Sequence, residues 1–388
     1  MKIGIFIELY RPYLSGVVVS VETLIQELLK RGHEVFLFAP KVSDYKDETR
    51  FQVIRLPSFS FAGHKFAKPF LSDKDMEAMK DFGLDLIHIQ GPYPTGILGV
   101  KIGRKLGIPV VMTYHAHVLF YLKTWANIWN WPFSLIARIL AFFLIRWVSK
   151  NCQLIISPSH FIKEVLRSYG IKNRIEVVPT GVELPSFLSK ALPSRIQLGL
   201  PEKVKILLYI GRLSKEKNLK MLLLAFDKVV RRRTHTILVL VGGGPFKSEL
   251  EKIVRRMRLE DWVFFMGEQS HEKIWSFLRV SDMFVFPSLS ETQGLSVGEA
   301  MVIGLPVVVV GEGGAPEFID DKENGLIVQN DPKEFAFQIL SVLENPILAF
   351  NLGQNAQKKI SQLKPENIYQ VMENLYLQFI KELSSSRK

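Results

Sequence analysis

The sequence predicts an α/β protein made of two doubly wound halves, and three observations lead there. Short apolar runs alternate with helix-like stretches from the first residues onward. The same alternation starts again after a proline-rich segment in the middle of the chain. At 388 residues the chain also exceeds the span of a single ordinary core. Alternating strands and helices of this kind imply parallel sheets covered on both faces.

The first half opens with Ile3–Leu9, an apolar run expected to be a buried strand. It is too short for a signal peptide and soon meets Arg11. Val21–Lys30 has helical spacing that ends at Gly32, and Glu34–Ala39 is the next strand. Leu84–Ile89 and Pro109–Thr113 continue the pattern, with Val100–Leu106 as a crossover helix ended by Gly107. Leu154–Ser157 and Ile175–Val178 follow. Pro179–Glu202 carries Pro179, Gly181, Pro185, Pro193, Gly199 and Pro201 and is expected to be a linker. The second half runs through Ile206–Ile210, Ile237–Val241, Val263–Met266, Met283–Pro287, Pro306–Val310 and Leu326–Val328. The expected domains are 1–185 and 200–364, with a helix over 365–384 returning to the first. A ligand crevice is expected between the halves, at the carboxyl ends of the strands.

Composition narrows the partners. Lys and Arg number 50 against 38 Asp and Glu, a net +12, which suits nucleic acid, an anionic membrane face or anionic small molecules. The tightest basic run, Arg231-Arg232-Arg233, is explained as a solvated helix end, so nucleic acid is not expected. Cys152 stands alone, which rules out an internal disulfide and fits a reducing cytosol. No stretch reaches the ~20 uninterrupted apolar residues of a membrane span; Phe133–Val148 comes nearest and carries Arg138 and Arg146.

Two motifs carry chemistry. The first is Glu291-Thr292-Gln293-Gly294-Leu295-Ser296-Val297-Gly298-Glu299, which follows a strand and enters a helix. Gly294 permits close backbone approach, and the helix terminus beyond it offers free N–H groups to a diphosphate. The plainer explanation is a capped helix with two solvated glutamates. In the second motif, Tyr209–Asn218, Arg212 stands at a strand end with Lys217 five residues on. A forked guanidinium and a point ammonium together suit a departing diphosphate and stabilise its growing charge. The plainer explanation here is a solvated basic loop.

Taken together these motifs resemble retaining glycosyltransferase family 4. Its pattern of Gly-Arg-x5-Lys and Glu-x7-Glu matches Gly211, Arg212, Lys217, Glu291 and Glu299. The likeness extends to Val241–Pro245, Pro287-Ser288 and Gly311–Glu317, to the loop Pro12–Gly16, and to Thr113-Tyr114-His115. The first loop departs from the family, with Ser15-Gly16 where many relatives carry Gly-Gly. The resemblance implies the GT-B fold and a retaining, metal-independent hexosyltransferase with no cofactor beyond its nucleotide-sugar donor, UDP-glucose being favoured. It implies that residues 200–364 bind the donor and 1–185 the acceptor. By the same resemblance Arg212 and Lys217 bind the diphosphate, Glu299 the ribose and Glu291 the sugar hydroxyls. Gly294 and Leu295 contribute backbone contacts, and Gly16 lets the first loop approach. His115 assists the transition state. Read alone, His115 is more often a satisfied core histidine, and His117 competes with it. Asp73-Lys74-Asp75 formally suggests a metal site, but Ser72 as N-cap explains it better.

Acceptor choice is expected from the first half. Residues 119–150 hold Trp125, Trp129, Trp131 and Trp147 among Leu, Ile and Phe. Ser134, Arg138, Arg146 and Ser149 are expected on one narrow side of that helix, which suits a lipid interface. Phe59, Phe61, His64, Lys65, Phe66 and Lys68 form a second aromatic and basic patch. With the basic charge, these features resemble bacterial glycolipid glucosyltransferases acting on diacylglycerol or a related lipid. The expected location is cytoplasmic and peripheral, on the inner face of the cell membrane. The alternatives are transfer to a soluble sugar or sugar phosphate, other chemistry on the same fold, and a non-catalytic basic module.

Overall fold

The computed structural model describes residues 1–13, 15–43, 45–61, 64–115, 131–182, 185 and 193–386. The chain divides into two compact units, one of Met1–Gly181 with Pro365–Lys388 and one of Val182–Lys364.

The first unit runs β1 (Lys2–Phe6), α1 (Gly16–Lys30), β2 (Glu34–Pro40), β3 (Gln52–Leu56), β4 (Ser58–Phe61) and β5 (His64–Ala67). It continues with α2 (Asp73–Ala78), β6 (Leu86–Ile89), α3 (Pro94–Leu106), β7 (Val110–Thr113), α4 (Trp131–Lys150), β8 (Leu154–Ser157), α5 (His160–Ser168) and β9 (Arg174–Val177). Seven strands form one sheet in the order β3-β2-β1-β6-β7-β8-β9, and every pairing is parallel. The order reverses direction at β1, which is where a doubly wound sheet opens its ligand end. Burial on both faces explains the near-continuous apolar strands: all four residues of β6, of β7 and of β8 are buried.

The second unit runs β10 (Lys205–Ile210), α6 (Leu219–Arg232), β11 (Thr236–Val241), α7 (Lys247–Met257), β12 (Val263–Gly267), α8 (His271–Val280) and β13 (Met283–Phe286). Then come α9 (Leu295–Ile303), β14 (Val307–Val310), β15 (Leu326–Val328), α10 (Pro332–Glu344) and α11 (Pro346–Ile360). Its six strands lie in the order β12-β11-β10-β13-β14-β15, again all parallel. The reversal falls at β10, beside β13.

The chain then returns to the first unit as α12 (Pro365–Ser386). Its docking on α1 and the sheet is specific. Tyr369 donates its hydroxyl to the Ser20 carbonyl at 3.1 Å, and Arg31 reaches the Gln370 side chain at 2.6 Å and the Glu366 carbonyl at 2.7 Å. Deeper in, the Tyr376 hydroxyl lies 2.7 Å from His88 Nδ1, with both residues fully buried.

Several elements extend beyond the sequence expectation. Helix α1 begins at Gly16, five residues before the periodic run, because Ser15 caps it and accepts from the Val18 amide. Helix α3 begins at Pro94, whose missing N–H suits a first helical position. β3 and the hairpin of β4 and β5 escaped the sequence reading. β3 is an edge strand only partly buried, without the apolar run that marks the central strands. As expected, Ser72 caps α2 by accepting from the Asp75 amide at 3.1 Å.

Candidate functional site

In the second unit both sequence motifs sit at the carboxyl ends of adjacent strands, since β10 pairs with β13. After β10 the chain turns through Gly211 and Arg212 into a short 3-10 turn, Lys215–Lys217. Asn218 closes it in the left-handed conformation, φ 56°, and starts α6. This turn carries Lys217 inward until only 8% of it is exposed. Its Nζ meets Glu291 Oε1 at 2.5 Å, and the Ser288 hydroxyl donates to the same carboxylate oxygen at 2.9 Å. One residue from each motif thus joins in a single charged pair, 74 positions apart in sequence. Arg212 is exposed at the same strand end.

The loops after β10 and β11 lie backbone against backbone. The Gly211 amide donates to the Val241 carbonyl at 3.0 Å, and the Leu213 amide to the Gly243 carbonyl at 2.7 Å. At Gly242, φ 137°, a Cβ would stand 2.0 Å from the Gly211 carbonyl oxygen. No side chain fits there, so the floor of this strand end is peptide backbone.

Beyond β13 the acidic motif enters α9. Gly294 takes the left-handed conformation, φ 81°, as its N-cap, and no side chain caps the helix. Leu295 is the first helical residue, so its amide belongs to the free N–H groups at the positive end of the helix. The Glu291 carbonyl accepts from the Gly314 amide at 2.7 Å, which ties the acidic loop to the turn after β14. Glu299 lies about one turn along, largely buried, with Oε1 3.8 Å from His271 Nε2. That nitrogen accepts from Trp275 Nε1 at 3.3 Å. His271 and Trp275 open α8 and carry no motif, so sequence reasoning passed over them. An anion held near α9 would meet a helix terminus, Lys217 and Arg212 on one strand edge.

The first unit holds the remaining expected residues. Gly16 opens α1 directly after its Ser15 cap. His115 follows β7, half-buried, with Nε2 2.7 Å from Gln90 Oε1, and burial lowers its pKa to about 4. Gln90, which follows β6, was not singled out from sequence. His117, Trp125 and Trp129 lie outside the described residues.

The hairpin pairs Ser60 with Lys65 and brings the rings of Phe59 and Phe66 to 6.0 Å. Lys65 is partly buried on it, and Lys68 is exposed just beyond. Buried Glu8 fastens the hairpin to the sheet, accepting from the Ala67 amide and, through its other oxygen, from the Thr95 amide, each at 2.7 Å. On α4 the structure corrects the expected polar side. Ser149 is fully buried, and the Arg146 guanidinium donates to the Tyr169 carbonyl and lies 5.5 Å from the Phe142 ring centre. The exposed side instead carries Leu135, Ile136, Ile139, Leu140 and Phe143, 46% to 64% open, with Arg138 also exposed. The reason is that the end of α4 near Ile145 and Val148 enters the core while the preceding turns do not.

Residues 14–185 match the family model "Glycosyltransferase Family 4", and residues 193–359 match "Glycosyl transferases group 1". The alpha-monoglucosyldiacylglycerol synthase of Streptococcus pneumoniae is 32% identical, over 98% of this chain and 86% of that protein. The enzyme of the same name from Acholeplasma laidlawii is 27% identical, over 98% of both. Among solved structures, the sucrose-phosphate synthase of Thermosynechococcus elongatus superposes with a TM-score of 0.77 at 24% identity, over 98% of this chain and 99% of that one. Both chains share the GT-B fold of two parallel α/β sheets.

Proposed function

This chain belongs to glycosyltransferase family 4, and on that premise we propose that it moves glucose from UDP-glucose to the hydroxyl of a membrane lipid such as diacylglycerol, with retention. The donor side of the reading rests on the cluster in the second unit. Arg212, Lys217 and the free amides after Gly294 take the diphosphate, Glu299 the ribose hydroxyls and Glu291 the sugar hydroxyls. Of the first unit's residues, His115 is the one that assists the transfer in this reading. In the reaction the anomeric C–O bond to the diphosphate breaks as an acceptor oxygen bonds to the same face. The acceptor proton leaves with the departing phosphate. Positive charge fixed before the reaction stabilises the diphosphate as its charge grows, without solvent having to reorganise.

The lipid acceptor rests on one observation above the others, the exposed apolar side of α4. Five large aliphatic and aromatic side chains, Leu135, Ile136, Ile139, Leu140 and Phe143, stand open on consecutive turns, with Arg138 beside them. That pattern suits a helix lying in a lipid interface, where each basic residue adds about 1 kcal/mol of attraction to anionic lipid. The hairpin carrying Phe59, Lys65 and Phe66, with Lys68 just beyond, supplies a second such patch. No single helix among the described residues is long and apolar enough to cross a membrane; the reading is of attachment at the surface through these two patches. The names of the two synthases support the same acceptor class.

The test is nucleotide release across UDP- and GDP-sugars, with and without anionic vesicles containing diacylglycerol. Release from UDP-glucose that requires the vesicles, and that falls in Leu140→Lys along with vesicle flotation, is the expected result. Release only with soluble sugars or sugar phosphates would keep the family and overturn the lipid acceptor.

A further inference from the structure

Strands β6 and β7 pair in parallel with His88 opposite Val111 and Ile89 opposite Met112. Residues two apart share a face of the sheet, so His88 and Gln90 lie on one side together, as do Thr113 and His115. The structure links them by two diagonal contacts of the same kind. His88 Nε2 lies 2.7 Å from Thr113 Oγ1, and one step along His115 Nε2 lies 2.7 Å from Gln90 Oε1. Tyr376 of α12 completes the first contact from behind, at the other ring nitrogen of His88. A polar ladder therefore runs from the last helix to the end of β7.

Gln90 is conspicuous in that ladder. It is 3% exposed, and its amide nitrogen is buried without an acceptor among the described residues. Leaving a buried N–H unpaired costs about 1–3 kcal/mol, which an apolar side chain of similar size would avoid. What the glutamine contributes is the oxygen that faces His115.

We propose that Gln90 is a positioning residue whose side-chain oxygen holds His115 as the Nε2–H tautomer and leaves Nδ1 as the lone-pair nitrogen. A carbonyl oxygen can only accept, so the ring nitrogen facing it carries the proton. His115 thereby meets a ligand as a hydrogen-bond acceptor, suited to a sugar or acceptor hydroxyl and not to a phosphate. This role rests on the proposed part of His115 in the transfer. The titratable groups facing the ladder are His88 on β6, held neutral by burial with a pKa of about 3, and Tyr376 on α12, whose phenol burial pushes far up. Neither brings a charge that would compete with Gln90 for control of the ring.

The experiment uses the full chain labelled with 15N-histidine, with His115 assigned by comparison with His115→Asn. Long-range 1H–15N correlation should give a protonated Nε2 and a lone-pair Nδ1. In Gln90→Leu the two tautomers should mix, and kcat should fall about five- to ten-fold, while the far-ultraviolet spectrum stays unchanged. In Gln90→Glu the added carboxylate should raise the His115 pKa from about 4 and introduce an acidic limb in kcat that recovers as pH rises. A merely structural lesion would not recover in that way. A wild-type spectrum with Nδ1–H, or one that Gln90→Leu leaves unaltered, would overturn the proposal whatever the activities. The expected spectra with unchanged turnover in both Gln90→Leu and His115→Ala would instead overturn the role in transfer, and with it the part given to His115 in the proposed function.

Discussion

Lys217 and Glu291 form one ion pair at 2.5 Å, with side chains 11% and 18% exposed and Ser288 as a second donor to the carboxylate. Each partner offsets the other's charge, and a charged donor entering the site would have to share or break that pair. Lys217→Ala should leave Glu291 with Ser288 alone and destabilise the second unit by about 1–3 kcal/mol, along with loss of turnover. Glu291→Gln should keep the Ser288 contact and cost less stability. Denaturant unfolding beside a nucleotide-release assay separates the two effects. Equal stability of both variants with wild-type turnover would remove the pair from the site.

Arg212 and Glu299 should fail differently. Arg212 is exposed at its strand end, so Arg212→Ala should leave stability within about 0.5 kcal/mol of wild type. Its kcat should nevertheless drop by about 10²–10³-fold, as expected when a donor to a developing charge is removed. Glu299→Ala should mainly raise the KM for the donor, about ten-fold for one charged hydrogen bond lost. Wild-type turnover in the arginine variant would refute its contact with the leaving group.

The backbone floor makes a sharper claim. Gly242→Ala places a methyl 2.0 Å from the Gly211 oxygen at φ 137°, whereas Gly199→Ala, φ 74°, meets nothing within 4 Å. The first should destabilise by about 1–3 kcal/mol more than the second. It should also abolish the rise in melting temperature produced by the bound nucleotide, because the loops after β10 and β11 can no longer touch.

Acid should weaken the first unit through His88. Burial lowers its pKa from 6.5 to about 3, so between those values the unfolded chain binds a proton that the folded chain refuses. The native state binds fewer protons there, so stability is full above pH 6.5 and is lost as pH falls toward 3. The slope from this group approaches about 1.4 kcal/mol per pH unit. His88→Gln should give a measurably shallower dependence in urea titrations taken across that window. An unchanged slope would mean that His88 is already solvated in the folded chain.

Much of this was legible in the sequence because buried parallel strands announce themselves. Val307–Val310 and Leu154–Ser157 are short apolar runs bounded by turn residues, and they fold where they were expected. The strand-end motifs were equally plain, since Arg212, Lys217, Glu291 and Glu299 depend on local spacing. What could not be read was pairing across strands. Gln90 meets His115 only through the register of β6 and β7, and His271 meets Glu299 only once α8 lies beside α9. The shared polar side expected of α4 fails at Arg146 and Ser149, because helical spacing says which residues line up and not where along the helix the core begins.

The return of α12 to the first unit has a consequence for how the protein is made. The second unit is continuous in sequence from Val182 to Lys364, whereas the first is split around it. As the ribosome reads from the amino end, the seven strands of the first sheet all emerge before the second unit begins, yet Ser20, Arg31 and His88 still lack the partners that α12 brings. The half synthesised first is thus completed last, and a released chain lacking residues 365–388 would leave the α1 face without its α12 partners while holding every residue of the second unit.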